Sequence, residues 1–115
     1  MALTIYHNPR CSKSRQTLKL IEAAGITPDI RDYNEEPLDA DEVEYLLLNL
    51  GFDSARDLMR KGESIYKELD LKNVSNETAL ITALAAHPKL VERPIVDDGE
   101  RAILGRPPEN VKKLL

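Results

Sequence analysis

The sequence predicts an α/β fold in which a strand–helix–strand unit and a strand–strand–helix unit share one mixed sheet and flank a block of helices. Three observations lead to this prediction. A short β-prone run, a helical repeat and a second short strand follow one another within the first 35 residues. Residues 39–86 carry helical patterns and no strand of their own. Two short apolar runs separated by a turn follow at residues 94–104.

The first unit is read from the segment LTIYHNP, at residues 3–9. Its apolar run ends at Asn8-Pro9, which is typical of a buried strand that leads into a turn. Apolar residues then recur at helical spacing, and Gly25 suits a C-terminal cap, so we predict a helix over residues 12–24. Residues 28–33 alternate apolar and charged side chains and form the second strand. The two strands of such a unit are parallel.

The middle of the chain is predicted to be helical. Its strongest signal is a helix of residues 39–50, which has apolar side chains at positions i, i+3, i+4 and i+7. Asp39 and Glu42 are spaced as a capping pair, and Gly51 follows the end of the repeat. Three further helical segments are predicted at residues 54–60, 63–69 and 75–86.

The last part of the chain predicts a β-hairpin and a short helix. Residues 94–96 and 102–104 flank a turn-rich connection, DDGE, and Pro107-Pro108 opens a helix to Leu115. The order of elements favours a thioredoxin-like mixed sheet (βαβ + ββα) with a helical insertion. We therefore expect a single domain, 1–115, with its core at about 1–35 and 88–115 and the insertion at about 39–86.

Composition limits the possible functions. The 115 residues carry 16 basic and 20 acidic side chains and a net charge of −4, which argues against a broad nucleic-acid-binding surface. No apolar run approaches the roughly 20 residues that span a bilayer, and no signal-peptide pattern is present, so we expect a cytoplasmic protein with no membrane partner. A single cysteine excludes an internal disulfide and a multi-cysteine zinc site, and we expect no bound metal.

Cys11, the only cysteine, lies in the turn between the first strand and the first helix. Free N–H groups and the positive end of the helix dipole favour a thiolate there, and the thiolate is the reactive form of the side chain. Arg10 and Arg15 add positive charge. The N–H groups, the Ser12 and Ser14 hydroxyls and the Arg15 guanidinium together suit a tetrahedral oxyanion.

The same residues have other interpretations. Most lone cysteines are small buried residues without chemistry, but the polar neighbours of Cys11 argue against such a site. His7 is either a general base or a donor that favours the thiolate, or a histidine that caps the turn. A tyrosine-phosphatase-type loop is excluded because Thr17 stands where its arginine would be. Ser14 stands where a C-x-x-C motif has its second cysteine, so a redox cycle needs an external thiol.

Four segments carry a resemblance to a known family. HNPRCSKSR, at residues 7–15, resembles the active-site segment of the glutaredoxin-coupled arsenate reductase family, whose pattern is H-N-P-x-C, two variable residues and S-R. The segments LMRK, ERPIV and LGRPPE resemble the three other landmarks in the same order, at residues 58–61, 92–96 and 104–109. The family fold is thioredoxin-like with a helical insertion. This chain differs in carrying Ser12-Lys13 where well-studied members have Gly-Thr.

The resemblance implies roles for individual residues. Cys11 matches the nucleophile, and His7 matches the histidine that helps to keep it a thiolate. Three arginines match those that surround the oxyanion and its covalent adduct: Arg60, Arg93 and Arg106. The residues of the anion-binding loop are Ser12, Lys13, Ser14 and Arg15. Pro94 matches the cis-proline opposite the catalytic cysteine.

The implied activity is reduction of arsenate to arsenite through a Cys11–arsenic adduct. Glutathione is the implied co-substrate, glutaredoxin takes the mixed disulfide, no cofactor is bound, and we expect a monomer. Two other functions are alternatives to arsenate reduction. Spx-type regulators share the fold and bind RNA polymerase, but they usually carry C-x-x-C and lack the H-N-P lead-in. A monothiol glutaredoxin-like thiol-transferase would have no need of three distant arginines.

Overall fold

The computed structural model describes residues 2–115, which form two compact units. One unit contains the described residues up to Glu36 together with Arg93–Leu115, and the other is Pro37–Glu92. Among these described residues, none of the helices combines the length and the apolar composition that crossing a bilayer requires.

The first unit is built on a four-stranded mixed sheet with the order β2-β1-β3-β4. Its strands are β1 (Thr4–His7), β2 (Asp29–Asp32), β3 (Ile95–Asp97) and β4 (Ala102–Leu104). β1 pairs in parallel with β2 and antiparallel with β3, and β3 and β4 form an antiparallel hairpin. The predicted parallel pair, the hairpin and the thioredoxin-like α/β class are therefore confirmed.

Helix α1 (Ser12–Ala23) connects β1 to β2, and Gly25 ends it in a left-handed conformation with a φ of 82°. The helix packs against the last element of the chain, a 3-10 helix of residues Pro108–Leu114. The predicted terminal helix is thus present, although its short length and its prolines favour the tighter 3-10 geometry. The core between these layers consists of side chains exposed by 2% or less: Leu3, Ile5, Ile21, Val96, Val111 and Leu114.

The second unit is helical. It contains α2 (Ala40–Leu50), α3 (Ser64–Glu68) and α4 (Glu77–Ala86), with 3-10 helices at Ala55–Leu58, Leu71–Asn73 and Pro88–Leu90. The capping box predicted for α2 is confirmed. The Asp39 side chain accepts a bond from the Glu42 N–H, and the Glu42 side chain accepts one from the Asp39 N–H. The segment predicted as a helix over 54–60 is shorter and adopts 3-10 geometry.

Two chain segments of the second unit meet in a short antiparallel contact. Met59 forms an isolated β-bridge with Val91, and the Arg60 N–H donates to the Leu90 carbonyl at 2.7 Å. The Glu92 N–H donates to the Leu58 carbonyl at 2.9 Å. These bonds fix the backbone of Arg60 within its own unit.

Candidate active site

Cys11 occupies the N-cap position of α1. Its backbone is extended, with a φ of −94° and a ψ of 123°, and its carbonyl accepts the first helical bond from the Arg15 N–H at 3.0 Å. The turn before it is closed by the Cys11 N–H, which donates to the Asn8 carbonyl at 3.0 Å. Cys11 is half-buried, so its side chain at the start of α1 has access to solvent.

The surroundings of the sulfur favour the thiolate. Burial raises the pKa of the Cys11 thiol, but hydrogen bonds from the Ser14 N–H, the Arg93 side chain and the Lys13 N–H outweigh it, and the pKa lies below its ordinary value. The positive charge of Arg93 acts in the same direction. The thiolate, which is the nucleophilic form of the side chain, is thus more favoured here than in an ordinary cysteine.

Two arginines stand beside the sulfur. Arg106 places Nη1 4.0 Å from Cys11 Sγ, and the same nitrogen donates to the Arg93 carbonyl at 3.3 Å. Among residues 2–115, the buried Nε of Arg93 has no hydrogen-bond acceptor. The Arg106 side chain is exposed, so its guanidinium lies beside the sulfur at the surface of the protein.

The peptide bond between Arg93 and Pro94 is cis, the form that the resemblance implies for this position. The Pro94 carbonyl accepts a bond from the Gly105 N–H at 2.9 Å. Gly105 has no room for a side chain, because a Cβ there would lie 2.5 Å from Thr17 Oγ1 and 2.7 Å from Pro94 Cγ. This close packing of α1, the start of β3 and the end of β4 brings Arg93 and Arg106 to the same place as Cys11.

Ser14 is fully buried, and the oxyanion-binding role expected of it stays a prediction. Its Oγ lies 2.6 Å from His7 Nδ1 and accepts a bond from the Asn8 N–H at 3.0 Å. Burial lowers the pKa of His7, the charge of Asp32 opposes this and that of Arg15 adds to it, so the neutral imidazole is favoured. The hydrogen bond between His7 Nδ1 and the Ser14 hydroxyl joins β1 to α1 and helps to fix the loop that carries Cys11.

The remaining loop residues have different surroundings. Arg15 turns its guanidinium back and donates from Nη1 to the Pro9 carbonyl at 2.9 Å. Ser12 is exposed at the first residue of α1, and Lys13 is half-buried and contributes its N–H to the sulfur. The Ser14 and Arg15 side chains thus brace the loop in this structure, while backbone N–H groups face the sulfur.

Arg60 lies in the second unit. Its Nη1 is 3.6 Å from Glu63 Oε1, and its Nε is 3.8 Å from Glu92 Oε1. The role that the resemblance gives to Arg60 stays a prediction. In residues 2–115, no three His, Cys, Asp or Glu side chains come together in a way that could hold a metal ion.

The chain is similar to proteins of a known family. The model of the ArsC family matches residues 6–114. The chain belongs to the ArsC family. The family membership inferred from the four sequence segments is therefore confirmed.

Individual relatives match this chain over 96% to 100% of its length. An arsenate reductase from Haemophilus influenzae is 43% identical, and the match covers 100% of each chain. A protein from Escherichia coli strain K12, described as "Uncharacterized protein YfgD", is 52% identical over 96% of this chain and 94% of its own. The solved structure of an arsenate reductase from Vibrio cholerae is 46% identical with a TM-score of 0.97, and the match covers 100% of this chain and 98% of that one.

Proposed function

We propose that this ArsC-family chain is an arsenate reductase that uses glutathione and glutaredoxin as its source of electrons. The observation that carries the proposal is the half-buried Cys11, whose thiol pKa is lowered and whose sulfur is contacted by the guanidinium groups of Arg93 and Arg106. A nucleophile and two cations at one point suit a tetrahedral oxyanion that forms a covalent bond to sulfur. Relatives that carry the name arsenate reductase support the choice of arsenate.

In the first step, the Cys11 thiolate attacks arsenic(V) and expels one oxygen as hydroxide, which leaves as water after protonation. Arg93 and Arg106 bind the oxygens on which negative charge accumulates. The buried Nε–H of Arg93 has no acceptor among the described residues. Arg60 is assigned to the same task by the resemblance alone.

The electrons come from external thiols because residues 1–115 contain one cysteine. Glutathione displaces a second oxygen from the adduct and forms an arsenic–sulfur bond. A glutaredoxin thiolate then attacks the glutathione sulfur, so a mixed disulfide leaves and the bonding electron pair remains on arsenic. Arsenic(V) becomes arsenic(III) while two thiols become one disulfide. Hydrolysis of the remaining Cys11–arsenic bond releases arsenite and regenerates the thiol.

The test is arsenite formation from arsenate by the purified protein with glutathione and glutaredoxin. Cys11→Ser should abolish turnover, because the hydroxyl is not ionised at neutral pH. Arg93→Ala should lower kcat/KM on the order of 10²-fold, by analogy with the removal of one oxyanion-hole donor. Arg101→Ala is the matched control, since Arg101 is exposed in the hairpin turn and pairs with Asp98 at 3.8 Å.

Turnover that survives Cys11→Ser would refute the nucleophile. Turnover that is lost equally in Arg93→Ala and Arg101→Ala would refute a specific role for Arg93. Absence of turnover in the wild-type protein with both thiol partners present would refute arsenate as the substrate. A glutaredoxin-free assay with glutathione alone would show whether the second partner is required.

A further inference from the structure

Arg106 is an exposed side chain that nevertheless stands at a defined distance from Cys11. It follows β4 by two residues, in the turn that leads to the C-terminal 3-10 helix. An exposed arginine has many rotamers, so its placement depends on how firmly its backbone is held. Three sets of bonds hold this turn: Gly105 to Pro94, the Arg106 guanidinium to the Arg93 carbonyl, and the amide of Asn110.

The Asn110 amide spans the turn. Its Nδ2 donates to the Leu104 carbonyl at 3.3 Å and to the Arg106 carbonyl at 3.1 Å, so both N–H groups of one side chain are used. The two acceptors lie on either side of Gly105. A single amide therefore ties the end of β4 to the residue that carries the guanidinium.

The 3-10 helix that carries Asn110 is firmly packed. Asn110 lies in the 3-10 helix Pro108–Leu114, which packs on α1 and on β4. Its neighbour Val111 is fully buried, and Leu114 is 2% exposed, in the core beneath α1. This 3-10 helix therefore links the two residues, because it packs on α1, which carries Cys11, and its Asn110 amide holds the backbone of Arg106.

We propose that Asn110 is a positioning residue that fixes Arg106 beside Cys11, so that the guanidinium meets an oxygen of the bound oxyanion. Asn110 itself touches neither the sulfur nor the ligand. The identity of the oxyanion rests on the proposed function, whereas the placement of Arg106 does not. The sequence contains no motif that singles out Asn110, because its role depends on two backbone carbonyls that only the folded turn brings together.

The placement is tested without arsenate by alkylation of Cys11 with two reagents. Iodoacetate is an anion and iodoacetamide is neutral, and both react with the same thiolate, so the ratio of their rates reports the positive charge over the sulfur. Loss of one charge at about 4 Å in water-like surroundings is worth roughly fivefold. Arg106→Ala should lower the ratio by about that factor, and Asn110→Ala by roughly twofold to threefold.

A double-mutant cycle separates positioning from a general structural role. In the Arg106→Ala background, Asn110→Ala should leave the ratio unchanged, because the guanidinium that it positions is already absent. Asn110→Leu keeps the side-chain size and provides a second variant if the alanine protein does not fold. Asn73→Ala is the matched control, because it removes an amide that bonds the Asp70 carboxylate at 2.8 Å in the other unit.

Retention of the wild-type ratio in folded Asn110→Ala or Asn110→Leu would overturn the proposal. The proposal would also be overturned if Asn110→Ala lowered the ratio by the same factor in the Arg106→Ala background as in the wild type. A ratio that Arg106→Ala leaves unchanged would overturn it as well. In arsenate turnover, the proposal expects a rise in KM for arsenate that Asn73→Ala does not share. If the wild type shows no turnover while the alkylation cycle behaves as described, the proposed substrate fails and the positioning role stands.

Discussion

Replacement of Ser14 by alanine removes a buried hydroxyl that joins two parts of the Cys11 loop. In the wild type this hydroxyl is hydrogen-bonded to His7 Nδ1 at 2.6 Å and accepts from the Asn8 N–H at 3.0 Å, and Ser14 is 0% exposed. The variant leaves both partners without a bond. Each buried polar group that loses its partner costs about 1–3 kcal/mol, and water reaches the half-buried Asn8, so we expect a loss of roughly 2–4 kcal/mol.

For a chain of this length, 1 kcal/mol corresponds to roughly 4 °C in Tm, so the midpoint should fall by roughly 8–16 °C. The assay is urea and thermal unfolding followed by circular dichroism. Ser12→Ala is the matched control, because Ser12 lies two residues away in the same helix turn and is exposed. Surface substitutions usually change the free energy of unfolding by no more than about 0.5 kcal/mol. A Ser14→Ala protein whose free energy of unfolding lies within about 0.5 kcal/mol of that of Ser12→Ala would therefore refute the argument.

Two further predictions concern stability. Because burial holds the pKa of His7 below its ordinary value, the unfolded chain binds more protons, so the free energy of unfolding should fall as pH drops below about 6.5. His7→Gln should remove this contribution to the slope of unfolding free energy against pH between about pH 7 and 5, as measured by urea titrations with His87→Gln as the control. An unchanged slope in His7→Gln would contradict the role given to His7. Asp39→Ala should cost about 0.5–2 kcal/mol, since it removes the cap of α2. Asp53→Ala, an exposed loop control, should leave the free energy of unfolding unchanged, and an equal loss in both variants would contradict the capping role.

The local elements of the fold were predictable from the sequence because each one carries its own signal. The apolar run before Asn8-Pro9 became β1, and the spacing of Asp39, Glu42 and Gly51 gave the ends of α2 to within a residue. Parallel pairing of the first two strands follows from the helix between them. These inferences need no knowledge of contacts between distant residues.

The directions of the site's side chains were not predictable in the same way. The sequence indicates that the Ser14 hydroxyl and the Arg15 guanidinium suit an anion, and this role stays a prediction. It does not indicate the bonds to His7 and to the Pro9 carbonyl that these groups make in the structure. Their direction depends on how α1 meets the end of β1, which is a tertiary property. Asn110 was missed for the same reason, since its acceptors are the backbone carbonyls of a folded turn.

The position of Cys11 at the N-cap of α1 has a consequence for the evolution of this chain. Helices usually begin with Ser, Thr, Asp or Asn, whose side-chain oxygen caps the first N–H groups, whereas at this N-cap the Cys11 sulfur faces the Lys13 and Ser14 N–H groups. A thiol sulfur is a weak hydrogen-bond acceptor, so in the thiol form the helix forgoes up to about 1 kcal/mol of the stability that an oxygen cap would provide. Serine at this position would improve the cap and remove the thiol. Selection for folding alone would favour serine, whereas the proposed role of the thiolate as the nucleophile opposes that replacement.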